Sequence, residues 1–513
     1  MTTATITAYN GVGEEEYNRR IRAWTMYDWA NSAFATTILA AVLPAYYSGV
    51  AGATLPSPAV ATAYWSTGLS ISLFITAVLS PILGTISDVM RGKKSFLSVF
   101  VSMGVLATGL LILIDSGDWL LASILFILGR IGFTSANVFY DALLPHVARE
   151  EDRDRVSTRG YAMGYLGGGI LLAVNIVMIQ FLGNIWGSRL SFLSVAIWWA
   201  VFSIPVFRRV PEPPAATAKL GPGENVVSIS FRRLWETLKD IRQYRELFKF
   251  LLAFLIYNDG IGTIIGVAVI YGKELGFGTT EMVLALLLVQ FVGIPFSLIF
   301  GRLPSKGTSN RPLYLSFILF NLVALPLAGI IGARNLPQQM TGNLGVILGI
   351  IVVIEAAGAA FAYVIGRSMF ARMAESLDTK RSILLALLMY AVIAIWGYFL
   401  SSVIEFWLLA WMVAIVQGGS QALSRSLYSG MSPAAKSGEF FGLFGIMEKF
   451  SAILGPLLFA AAATAFGSSR PAVLSLIVFF IVGGLILTTV NVDQGRRVAK
   501  EEDAALLAPG VTV

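Results

Sequence analysis

Tyr27-Asp28-Trp29-Ala30-Asn31-Ser32 heads an apolar stretch that runs to about Tyr47, and Tyr257-Asn258-Asp259-Gly260 lies inside the apolar run Phe250 to Gly272. A carboxylate in hydrocarbon costs at least about 2–3 kcal/mol, so it faces a water-filled cavity or a partner and marks an ion or substrate path. Two such clusters, one opening each half of the chain, predict a transporter built from two related halves.

The rest of the chain is consistent with that reading. Of 513 residues, 56% are hydrophobic and 13% charged, with mean hydropathy +0.75; a soluble domain carries about 25% charged residues. A spanning helix needs about 20 mostly apolar residues, because every backbone group must be paired within the segment. Fourteen segments meet that requirement, the first at 23–48 and the last at 471–491. The fold class is therefore an all-α polytopic membrane protein.

Charge placement predicts orientation. Of the 37 Lys and Arg, Arg189, Lys273, Arg334 and Arg470 fall on one side and Arg130 and Lys449 lie inside helices; the other 31 share a side with both termini. By the positive-inside rule both termini are cytoplasmic, in a cell membrane or, in a eukaryote, a vacuolar one. The net charge of +7 follows from that topology and calls for no nucleic acid. There is no cysteine and one histidine, His146, read as a solvated loop residue, so neither a metal site nor a cofactor is expected. Glu14-Glu15-Glu16 followed by Arg19-Arg20 lacks the basic-then-apolar order of a signal peptide.

The predicted organisation is a cytoplasmic N-terminus (1–22), a six-helix half (23–207), a linker (208–249), a second half (250–491) and a cytoplasmic tail (492–513). In the linker Phe231, Leu234, Leu238, Ile241 and Phe248 recur at three- and four-residue steps among basic residues, which reads either as an amphipathic helix on the lipid surface or as a basic connector. Phe139-Tyr140-Asp141-Ala142-Leu143-Leu144-Pro145 is echoed by Leu427-Tyr428-Ser429-Gly430-Met431-Ser432-Pro433, and Gly160-Tyr161-Ala162-Met163-Gly164 by Phe440-Phe441-Gly442-Leu443-Phe444-Gly445. Such ordered echoes fit parallel repeats about an axis normal to the membrane. Two degraded copies of the loop after helix 2, Gly301 to Arg311 and Ala371 to Arg381, flank residues 312–366. This region is therefore read as an inserted two-helix hairpin.

The loop Gly84-Thr85-Ile86-Ser87-Asp88-Val89-Met90-Arg91-Gly92-Lys93-Lys94 resembles the loop signature of the major facilitator superfamily, with one extra residue between Asp88 and Gly92. Glu375 holds the position of Asp88 in the second half. The opening clusters, together with Val416-Gln417-Gly418-Gly419-Ser420-Gln421-Ala422-Leu423-Ser424-Arg425-Ser426, Glu439-Phe440-Phe441-Gly442 and Lys449-Phe450-Ser451, look like the vacuole effluxer branch of that superfamily. The resemblance implies two six-helix halves that rock about a central site. Gly84, Asp88, Arg91 and Glu375 would then be the loop residues that hold the inward-closed arrangement. Fungal members of the branch export amino acids from the vacuole.

Candidate transport residues follow from depth and face. Asp259 lies near the midplane, read either as a proton site or as an Asp held for packing; Gly260 and Gly262 leave that helix able to bend. Asp28 is shallower, a gate, a helix-pairing group or a solute contact, with Asn31 on the same face. Arg130, between Gly129 and Gly132, is read as a coupling residue or a static ion pair, with Asp28 or Asp259 as suitable partners. Gln417, Gln421 and Arg425 share one helix face, and Tyr27, Tyr257 and Asn258 complete the predicted substrate cavity; Arg425 either offers donors to an anion or snorkels. Trp24 and Trp29 read as interfacial anchors, and Glu355 as a structural group of the hairpin.

The expected function is secondary transport of a small polar solute, amino acids by resemblance, coupled to protons. The alternatives are efflux of hydrophobic compounds or a non-transporting receptor or scaffold. No phosphate-binding Gly-x-x-x-x-Gly-Lys loop and no His-Glu-x-x-His or Gly-x-Ser-x-Gly motif occurs, which argues against a pump or an enzyme. The expected partners are the solute, protons and the bilayer, with the chain a monomer.

Overall fold

The computed structural model describes residues 12–214, 232, 235, 236, 239, 242–277, 279–305, 310–332, 343–451 and 454–507. Among them every regular element is helical, and fourteen helices are long and apolar enough to cross a membrane. The first half comprises α1 (Glu14–Ala51), α2 (Pro58–Met90), α3 (Lys93–Leu110), α4 (Trp119–Ala142), α5 (Arg153–Leu182) and α6 (Asn184–Arg209). The second comprises α7 (Arg245–Glu274), α8 (Thr279–Arg302), α9 (Arg311–Leu327), α10 (Leu344–Phe361), α11 (Thr379–Phe399), α12 (Val403–Met431), α13 (Ser437–Phe450), α14 (Leu454–Phe466) and α15 (Ser469–Thr488). α13 and α14 form one span between them, and the tail helix α16 (Val492–Leu507) follows.

Each half buries its own apolar core. Trp24, Phe34, Phe126, Tyr140 and Trp199 belong to the first, and Phe254, Tyr257, Phe300, Tyr390 and Phe480 to the second. The halves meet along α2 against α13 and α5 against α8, with α12 also packed on α5. The two main pairings are counterparts, the second helix of each half lying on the fifth of the other once the hairpin is set aside. That is the arrangement expected of a parallel repeat. The hairpin α9–α10 packs on itself and on α12, while Val352, Val353 and Val364 of its outer flank are exposed. In a bilayer such a flank meets lipid.

Several expectations are corrected. α7 runs unbroken through Gly260 and Gly262; Gly260 is tucked against Phe479 and Phe480, where a Cβ would come within 2.9 Å of each. The irregular backbone lies elsewhere. α1 loosens into π-helical turns at Phe34–Ala41 and Tyr47–Ala51 on either side of Pro44, which lacks the N–H that the ladder needs. Within the span of α13 and α14, the described helix ends at Phe450 and is described again from Leu454, beside Asp259.

Trp24 is fully buried, stacked on Tyr140 at 4.4 Å and donating to its carbonyl, because a neighbouring helix covers the position read as interfacial. Trp29 stacks on Trp198 at 5.2 Å, inside the first half. His146 is buried as well, 3.1 Å from Ser437 Oγ of the other half. Phe231, Leu234, Leu238 and Ile241 of the linker lie outside the described residues.

Candidate functional site

The two halves are tied together at the face that carries both described chain ends, Glu14 pairing with Arg149 and Lys500 with Glu150 there. Arg425, on α12, reaches across the interface. Its guanidinium is 2.9 Å from Asp141 Oδ1 of α4 and 3.5 Å from Asp28 Oδ2 of α1. It also donates to the hydroxyl and the carbonyl of Ser157 on α5, at 2.9 and 3.0 Å. The rings of Trp24, Tyr140 and Tyr161 surround it at 5.0, 5.7 and 4.7 Å. Asp28 further accepts from the Tyr140 hydroxyl at 2.7 Å.

Such closeness needs Gly160. A Cβ there would run into Asp28 Oδ2 and come within 3.1 Å of the guanidinium. Arg425 is thus not snorkelling: with 4% of its side chain exposed, it is a buried cation shared by two carboxylates.

A second tie uses the loop signature. Asp88 accepts from the backbone N–H groups of Gly438 and Glu439, at 2.9 and 2.7 Å, where α13 begins. Lys93 neutralises it from the other side at 2.5 Å. A carboxylate on free N–H groups at a helix N-terminus is favourable both as a hydrogen-bond acceptor and toward the dipole. The extra residue extends α2 to Met90, so Arg91 takes the left-handed turn at φ 54° and is exposed.

The counterpart position behaves differently. Glu375 is exposed and forms no hydrogen bond or ion pair among the described residues. The inter-half contact there is Thr379 Oγ1 donating to Asp154 on α5 at 2.7 Å.

At the opposite end a cavity of about 330 Å³ opens between the halves. Thr36 and Ala40 reach it from the π-helical part of α1, and Ile264, Val289, Ile393, Leu409 and Val413 make its walls apolar. Gln290 and Gln417 supply amides at its inner end, and among the described residues no charged one lines it. Of the residues expected to form the substrate cavity, Gln417 lines this one. Gln421 sits one turn further along the same face of α12, between the cavity and Arg425.

The other expected residues are engaged elsewhere. Asn31 donates to Asn137 of α4 at 2.7 Å. Tyr27 is buried on Tyr140, with ring centroids 4.7 Å apart. The Tyr257 hydroxyl is 2.6 Å from Ser424 Oγ, and Asn258 donates to Ser451 at 2.7 Å. Asp259 Oδ1 accepts from the Gly455 N–H of α14 at 2.8 Å. Arg130 pairs with neither Asp28 nor Asp259. Glu355 accepts from Asn321 at 3.4 Å, joining α10 to α9.

Sequence reasoning left Asp141, Asp154 and Glu448 out of the site. A signal for Asp141 was present: Arg130, Thr134, Asn137 and Asp141 fall on one helical stripe, the three- and four-residue spacing that puts groups on a common face.

The model of the family described as vacuole effluxer Atg22 like matches residues 59–347 and 333–500. An uncharacterized MFS-type transporter, YxiO of Bacillus subtilis, is 35% identical over 496 residues, which span 95% of this chain and 99% of that one. Autophagy-related protein 22 of Kluyveromyces lactis is 24% identical over 429 residues, covering 80% of this chain and 75% of its own length. Among solved structures, the proton:xylose symporter XylE superposes with TM-score 0.56 at 14% identity, over 93% of this chain and 96% of that one. The transporter FucP in its outward conformation gives TM-score 0.56 at 10% identity, covering 93% and 98%.

Proposed function

The chain belongs to the vacuole effluxer family of the major facilitator superfamily, and from that premise we propose that it moves amino acids with large apolar side chains by alternating access, coupled to protons. It is a multi-pass membrane transporter and not an enzyme. One observation carries the reading: Arg425 ties the halves together at one end while a cavity lies open between them at the other. The excess of Lys and Arg assigns the tied end to the cytoplasm. The arrangement is then the outward-facing one, with Arg425, Asp28, Asp141 and Asp88 as the closed cytoplasmic gate.

An apolar cavity with two amides at its inner end suits a solute whose bulk is apolar and whose polar part is small. Opening the gate must separate Arg425 from two carboxylates, and a proton taken up by Asp28 or Asp141 removes the charge that holds it. Asp259 is a second proton site in this scheme, because its protonation weakens the hydrogen bond to Gly455 of α14. The apolar walls also support a second reading, transport of hydrophobic compounds.

The test is uptake of labelled leucine and phenylalanine by proteoliposomes, with and without a pH gradient. Uptake driven by the gradient and competed by other apolar amino acids is expected. Absence of flux for every amino acid under either condition would sink the reading, and competition by non-amino-acid apolar compounds alone would leave only the second.

A further inference from the structure

Resting on the amino-acid reading above, we infer that Arg130 of α4 and Glu448 of α13 form a head-group clasp for a zwitterion. The Arg130 guanidinium takes the solute's carboxylate, and the Glu448 carboxylate takes its ammonium. Both residues lie deep in the membrane. Arg130 is eleven residues past Trp119, and Glu448 eleven past Ser437, which at about 1.5 Å per residue is close to the middle of a bilayer about 30 Å thick. Gln290, at the inner end of the apolar cavity, is likewise eleven residues into α8. The two charges therefore sit at the depth where that cavity ends.

The Arg130 guanidinium has five N–H donors and no hydrogen bond or ion pair among the described residues; its Nε is fully enclosed and without a partner. A guanidinium in that position is costly unless an anion reaches it. Gly129 and Gly132 beside it serve helix packing instead. A Cβ on Gly132 would come within 2.6 Å of the Gly104 backbone on α3.

Glu448 is the acid whose field reaches Arg130, and it also acts on Asp141 of α4 and Tyr161 of α5. All three belong to the first half, whose α4 packs on α13, so Glu448 lies beside the interface with it. Half of the Glu448 side chain, 52%, is exposed. A carboxylate at such depth does not face lipid, so it faces the space between the halves.

Among the described residues only one of its oxygens is occupied, by Lys449 Nζ at 2.7 Å, and no ion pair joins Glu448 to Arg130. With no ion pair between them, the Arg130 guanidinium and the second Glu448 oxygen can each take one end of a molecule carrying one charge of each sign. Asp141, by contrast, is already held by Arg425. A solute bound this way bridges the halves, since one end is held by α4 and the other by α13.

The experiment measures binding of labelled L-leucine to the purified full chain. The competitors are unlabelled leucine, leucinamide, which lacks the carboxylate, and N-acetyl-leucine, which lacks the ammonium. In the parent, both analogues are expected to bind at least about tenfold more weakly than leucine, the loss of one charge-assisted hydrogen bond. Arg130→Gln abolishes the preference for leucine over leucinamide but keeps that over N-acetyl-leucine, and Glu448→Gln does the reverse. Arg130→Lys, which keeps the charge, restores part of the first preference. A parent that binds leucine and both analogues alike overturns the clasp, as do variants that keep both preferences. Because the parent alone supplies the first readout, a variant that misfolds does not shelter the idea. If gradient-driven leucine uptake persists while the preferences are absent, the clasp fails and the transporter reading stands.

Discussion

Arg425 shows how much one buried side chain decides. With Asp28 and Asp141 it gathers two negative charges around one positive charge, and all three are mostly out of water. Removing one partner of such a group leaves an uncompensated charge, at a cost of about 3–5 kcal/mol. In the proposed outward-facing arrangement that cost falls on the closed gate, because the pairing exists only while the halves touch there. Arg425→Gln is therefore expected to shift the equilibrium toward the open gate by about a hundredfold or more. The chain contains no cysteine, so a single Gln421→Cys probe reports the shift. Its labelling by an impermeant maleimide from the cytoplasmic side should be slow alone and fast with Arg425→Gln. Equal rates would remove Arg425 from the gate.

Between helices, the decisive contact is one without side chains. α2 crosses α13 at Gly84 and Gly438, and a Cβ on Gly438 would come within 2.5 Å of the Gly84 carbonyl and 2.8 Å of Asp88 Oδ1. The absence of a Cβ lets the first turn of α13 approach closely enough for Asp88 to cap it. Gly438→Ala forces the helices apart at an overpacking cost of about 1–3 kcal/mol, again confined to the closed gate. Cytoplasmic labelling of the same probe should rise about tenfold in this variant, with little change in the melting temperature of the separate halves' cores. A fall in stability without faster labelling would make the glycine contact structural only.

Across the whole molecule, the tail helix α16 braces both halves. Arg496 and Lys500 meet Glu150 of the first half, while Asp503 accepts from the N–H groups of Ala434 and Ala435 of the second, at 3.0 and 2.9 Å. These contacts are unequal. The Lys500–Glu150 pair is solvent-exposed and worth little, about 0–1 kcal/mol, whereas Asp503 is buried and satisfies two amides, worth about 1–3 kcal/mol. Asp503→Ala should therefore free the tail for proteolysis relative to the parent, and Lys500→Ala should not. Equal protection of the parent and both variants from cleavage within 492–507 would show that apolar packing, not Asp503, seats the tail.

The sequence by itself determined the fourteen spans and the superfamily, and predicted the sidedness. A bilayer admits only long apolar runs whose backbone pairs internally, and that requirement is local. It also showed which residues share a face, as with Gln417, Gln421 and Arg425, because helical spacing is local too. What lies opposite a face is not. Arg425 meets Asp28 across 397 residues and Asp141 across 284, His146 and Trp24 are enclosed by helices distant in the chain, and Asp259 accepts from the Gly455 N–H, 196 residues away. Tertiary structure alone decided which buried charges are paired across the halves, as Arg425 is, and which, like the enclosed Arg130 Nε, have no partner among the described residues. A buried charge is stabilised only by what lies within a few ångströms of it in space, whatever the distance along the chain.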